Sequence, residues 1–134
     1  MSFDRALLAI LGVFVLLAGV GCFVAPASFA QQVGFAVSAS GLTEIRAFYG
    51  GLQIGFGCFL IWCLREPVLT SAGLFLEGLV VGGVGIARAF GMIVEHTPTT
   101  YHLANLAIEV ATVVLVVVAF ARRRRLSIAL GPAV

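Results

Sequence analysis

Four apolar stretches, each about as long as a bilayer is thick, decide what this chain can fold into. Ala6–Val24, Ile45–Leu64, Val68–Val94 and Tyr101–Ala121 each approach or exceed the roughly 20 residues a helix needs to cross a hydrocarbon core near 30 Å thick. Within lipid each segment must satisfy its own backbone amides, so the stretches are expected to be helices. The chain is 61% hydrophobic and only 10% charged, with a mean hydropathy of +1.15, whereas soluble domains carry about a quarter charged residues. The expectation is one transmembrane domain over residues 1–134: all-α, an integral membrane four-helix up-down bundle. Nothing remains for a soluble catalytic or nucleic-acid-binding domain, and a formal charge of +2 is too small to suggest a nucleic-acid partner.

Arginine placement gives the expected orientation. With Met1 on the cytoplasmic side, Arg5, Arg65 and Arg122 to Arg125 all fall at cytoplasmic ends, leaving Arg46 and Arg88 toward the other face. The bias of positive charge toward the inside then predicts N-in and C-in, in the cell membrane, multi-pass. The first span is read as retained: its apolar run exceeds a usual signal core, despite small-residue sites at Ala25 to Ala30. Cys22, Cys58 and Cys63 lie inside spans without metal-type spacing and read as small buried side chains.

The connections constrain the packing. Ala25 to Thr43 is the longest, and Phe29, Val33 and Val37 at four-residue spacing predict a short helix in the membrane interface. Ser40 is the expected cap of the second span, with Glu44 in its first turn. Only Arg65, Glu66 and Pro67 join the second and third spans, which predicts a tight antiparallel hairpin. Glu95 to Thr100 joins the last two, with Thr99 or Thr100 as cap. Gly51 with Gly55, and Gly78 with Gly82, form small-xxx-small pairs that let helix backbones approach, within one chain or between copies in a homo-oligomer.

Polar side chains inside spans are costly and normally face other helices. Arg46, Tyr49 and Gln53 fall on one helical stripe, as do His102, Asn105, Glu109 and Thr112, while Glu77 and Arg88 lie three turns apart. At about 1.5 Å per residue, Arg46, Arg88 and Glu109 reach one level near the outer ends of their spans. The expected arrangement is therefore a buried cluster of Arg46, Arg88 and Glu109, with Glu44, Tyr49, His102 and Asn105 around it. Glu77 lies near the middle of the bilayer, where no arginine shares its level and Gln53 is the nearest partner by depth.

Three functions suit such a cluster. It can be a structural ion-pair network in a membrane subunit, a polar pocket for a membrane lipid or other amphipathic ligand, or part of a proton-linked transporter acting as a homo-oligomer through Glu77 or Glu109. The lipid-binding reading leads. A weaker reading is an intramembrane enzyme with Glu109 and His102 as acid and base on a lipid-soluble substrate; a serine triad is not expected, because no activated serine accompanies His102 and Asp4 is at the wrong end. Neither a metal nor a cofactor is expected, since His96 and His102 are separated by a Pro-containing turn and no glycine-rich phosphate loop occurs.

The run from Glu44 to Gly57, EIRAFYGGLQIGFG, resembles the signature of an uncharacterised bacterial family of short four-helix membrane proteins, domain of unknown function 4345. AGLFLEGLVVGGVGIARAFG, from Ala72 to Gly91, and the late Glu109 resemble its other marks. The resemblance implies a membrane-embedded four-helix unit and the same choice of polar residues, and it supplies no reaction.

Overall fold

A computed structural model describes residues 2–129, with side chains through Arg124. Met1 and the side chain of Arg125, both used in the orientation argument, lie outside the described residues. Among the described residues there are five helices and no strand: α1 (Phe3–Val24), α2 (Pro26–Val33), α3 (Ala39–Arg65), α4 (Pro67–Val94) and α5 (Thr100–Ala129). Helices α1, α3, α4 and α5 are each long and apolar enough to cross a membrane. The chain is thus an all-α protein with four candidate spans. Two compact units, Met1–Gly73 and Leu74–Val134, divide it within α4.

The first unit is built on an antiparallel pair, α1 against α3, whose contacts keep a constant register. A methyl group placed on Gly12 would lie 3.1 Å from Leu60, one on Gly19 would lie 2.7 Å from the Ile54 nitrogen, and one on Gly50 would meet Phe23 at 2.9 Å. A methyl on Gly57 would lie 2.7 Å from the Leu16 nitrogen. Hydrophobic attraction between helices is weak in lipid, so this close backbone approach carries much of the association. The seam differs from the expected Gly51 and Gly55 pair: Gly55 faces open space, and Gly51 would touch only the Arg46 carbonyl, at 3.6 Å.

An arginine closes each end of that helix pair. The last carbonyls of a helix have no partner in their own helix, and a basic side chain from a neighbour can satisfy them. Arg46, near the start of α3, donates from Nε to the Phe23 carbonyl at the end of α1, 3.3 Å away. Arg5, near the start of α1, donates from Nη2 to the Leu64 and Arg65 carbonyls at the end of α3, at 2.5 and 3.1 Å. The tight turn to α4 is closed by Thr70, fully buried, whose hydroxyl donates to the carbonyls of Cys63 at 3.1 Å and Glu66 at 3.0 Å.

The expected interfacial helix is α2, which holds Phe29 and Val33. It ends at Gly34, whose φ of +80° is the left-handed closure that glycine adopts most readily, so Val37 falls outside it. The cap of α3 is Ser38, not Ser40: the Ser38 hydroxyl oxygen accepts from the Gly41 amide at 3.2 Å. Serine at either position suits a cap, and the backbone that leaves α2 decides which one fills it.

In the second unit α4 and α5 are also antiparallel, as the short connection requires. A methyl on Gly78 would sit 3.0 Å from Val116, one on Gly82 3.6 Å from Val113, and one on Gly85 3.4 Å from Glu109. The expected Gly78 and Gly82 pair therefore does face the neighbouring helix. The α5 cap is Thr99, whose hydroxyl oxygen accepts from the His102 amide at 3.3 Å.

Candidate functional site

The second unit holds an ion pair at membrane depth. Arg88 and Glu109 form a forked, charge-assisted contact: Nε lies 2.9 and 3.1 Å from the two carboxylate oxygens, and Nη2 lies 2.7 Å from Oε1. Their side chains are 22% and 11% exposed. Arg88 is six residues from the end of α4, and Glu109 nine from the start of α5. At a rise of about 1.5 Å per residue the pair lies roughly 9–13 Å in from the hairpin end. Gly85 of α4 faces the Glu109 side chain, since a methyl there would lie in ordinary contact, 3.4 Å, with Glu109 Oε2.

Nearer the hairpin, His102 and Asn105 use their side chains on local backbone. His102 Nδ1 is 3.0 Å from the Thr97 carbonyl, which fixes the ring over the turn, and Asn105 Nδ2 donates to the Tyr101 carbonyl at 2.8 Å. Both residues are half-buried. They lie two turns and one turn nearer the hairpin than Glu109 on the same helix. His96 takes the left-handed conformation, with φ of +51°, in the turn after α4. Among the described residues no three His, Cys, Asp or Glu side chains converge as metal ligands.

In the first unit the stripe of Arg46, Tyr49 and Gln53 faces α1 and α2. Arg46 bonds the Phe23 carbonyl, Tyr49 packs on Phe29 and Phe35 with ring centroids 4.9 and 6.4 Å away, and the Gln53 Cβ lies against Gly19. Glu44 is exposed. The α-helical spacing behind this stripe needs correction, because Ile45–Gly51 is a π-helix in which the Leu52 amide bonds the Ala47 carbonyl five residues back. π segments are rare and cluster at functional sites. Here the wider turn lets Gly50 sit on Phe23 while Tyr49 meets the two phenylalanines. Adjacent glycines at 50 and 51, poor α-formers, were the one signal in the sequence.

Glu77 stands apart. It is 2% exposed, and its Oε2 is enclosed without a hydrogen-bond partner. In α5, Thr112 is also buried, at about the level of Gly82 by the register of the two helices.

A family model described as Domain of unknown function (DUF4345) matches residues 3–120. No curated protein and no solved structure matches the chain.

Proposed function

We propose that this chain, which belongs to the domain-of-unknown-function family DUF4345 over residues 3–120, is a small multi-pass membrane protein that holds the head group of a lipid or similar amphipathic molecule beside Arg88 and Glu109. The forked ion pair inside the second unit carries this reading. A guanidinium and a carboxylate at that depth are costly alone and much less so together. The arginine side chain, 22% exposed, keeps part of its surface available to an anionic oxygen. His102 and Asn105 supply the polar approach from the hairpin end. On the first unit exposed Arg46, with Glu44 and Tyr49 on the same helix, offers a head group a separate cationic contact. Arginine suits this task better than lysine because its planar fork bonds a carboxylate and a phosphate oxygen in fixed directions.

Native mass spectrometry of the protein released from gentle detergent tests the assignment. The wild type is expected to carry bound phospholipid. Arg88→Lys keeps a positive charge opposite Glu109 and loses the fork, so retained lipid is expected to fall about tenfold, the equivalent of one charge-assisted hydrogen bond. Equal lipid retention by both proteins would remove the proposal.

The cell membrane as location, with both termini on the cytoplasmic face, belongs to the same reading. It places the ion pair in the outer leaflet and the arginine run after Ala121 inside, where positive charge is retained. Fluorescent-protein fusions at each terminus are expected to fluoresce, and periplasm-dependent phosphatase fusions at the same points are expected to be inactive. The opposite pattern at either end would reverse the topology.

A further inference from the structure

We infer that Glu77 is a proton-binding site in the middle of the membrane, held as the neutral acid and able to exchange that one proton between carboxylic acid and carboxylate. The inference does not depend on lipid binding. It rests on three observations that concern only this side chain and its surroundings in sequence and register.

The first is burial without compensation. Glu77 is 2% exposed and its Oε2 has no partner. An ionised carboxylate shut away from water needs a cation or several donors, and a protonated one needs neither to the same degree. The contrast lies in the same unit: Glu109, the other acidic side chain in α4 and α5, accepts three contacts from Arg88.

The second is depth. Glu77 is ten residues inside α4, which begins at Pro67 and ends at Val94. At about 1.5 Å per residue it is roughly 15 Å from the start of the helix, near the centre of a 30 Å hydrocarbon layer.

The third is the absence of a neutralising charge at its level. On α4 no other ionisable side chain occurs between Pro67 and Ala87, so Glu66 and Arg88 are the nearest in either direction. On α5 the register of Gly78 against Val116 sets Glu77 at the level of Val116 to Val118. Valine, leucine, alanine and phenylalanine fill Val113 to Ala121, bounded by Glu109 on one side and Arg122 on the other. In the spans of the first unit the titratable groups are the end residues Asp4, Arg5, Glu44, Arg46 and Arg65, the Tyr49 phenol, and the thiols of Cys22, Cys58 and Cys63. None of the charged groups among these lies in the middle third of its span.

Infrared spectroscopy reads the protonation state directly. In a sugar detergent that has no carbonyl of its own, the wild type at neutral pH is expected to show the carbonyl stretch of a neutral carboxylic acid. The band is expected to vanish in Glu77→Gln and persist in Glu109→Gln, and to bleach reversibly at alkaline pH in the wild type. If Glu77→Gln fails to fold, the wild-type spectrum still decides: the absence of a neutral-acid band, or one that resists alkali throughout, overturns the inference. A difference spectrum in which Glu77→Gln removes carboxylate bands instead overturns it equally.

Discussion

Arg88→Met is expected to destabilise the protein by about 3–5 kcal/mol, the cost of leaving one member of a buried pair without the other. The methionine fills much of the same volume, so the loss reports charge rather than shape. Glu109, whose side chain is 11% exposed beside Arg88, would lose all three of its short contacts. Removing the second charge should undo the damage: the double variant Arg88→Met, Glu109→Met is expected to recover most of the stability, because two apolar side chains of similar size often replace a buried pair at little cost. Chemical unfolding in mixed micelles measures all four proteins of the cycle. Simple addition of the two single losses in the double variant would show that the pair is not an energetic unit.

Gly57→Ala is expected to cost about 2–3 kcal/mol, at the upper end of the range for overpacking. Its added methyl would lie 2.7 Å from the Leu16 nitrogen and 2.8 Å from the Leu16 Cα. Backbone atoms cannot rotate away, so α1 and α3 would have to separate along a seam that holds them together by contact. Gly55→Ala, two residues away on the same helix, meets nothing within 4 Å. It is expected to be neutral or slightly stabilising, since alanine is the better helix former by up to about 1 kcal/mol. Thermal unfolding of both variants in one detergent makes the comparison. Equal effects would mean that the close approach at Gly57 carries no energy.

The four spans were readable because their signal is local: a run of apolar residues long enough to cross a bilayer has few alternatives in lipid. The same holds for α2 and for the short turns at Pro67 and Thr99, where residue type fixes backbone geometry. Polar spacing was equally informative where the helix stayed regular, as with Arg88 and Glu109. It failed where it assumed regularity. Ile45–Gly51 winds as a π-helix, so a count of residues from Arg46 to Gln53 does not give their angle about the axis.

The remaining decisions depended on which helix faces touch. Gly51 and Gly55 have the same spacing as any small-residue pair, yet Gly50 and Gly57 form the seam, because every glycine is equally small and only the packing of α1 selects among them. Arg46 could be assigned a depth from its position, but its carbonyl partner, Phe23, belongs to a helix more than twenty residues earlier. Composition and periodicity determined the medium, the number of crossings and the residues too costly to leave alone in hydrocarbon. The tertiary structure decided how each was compensated, since a hydrogen bond requires two groups within about 3 Å, and a linear sequence carries no such distance between separate helices.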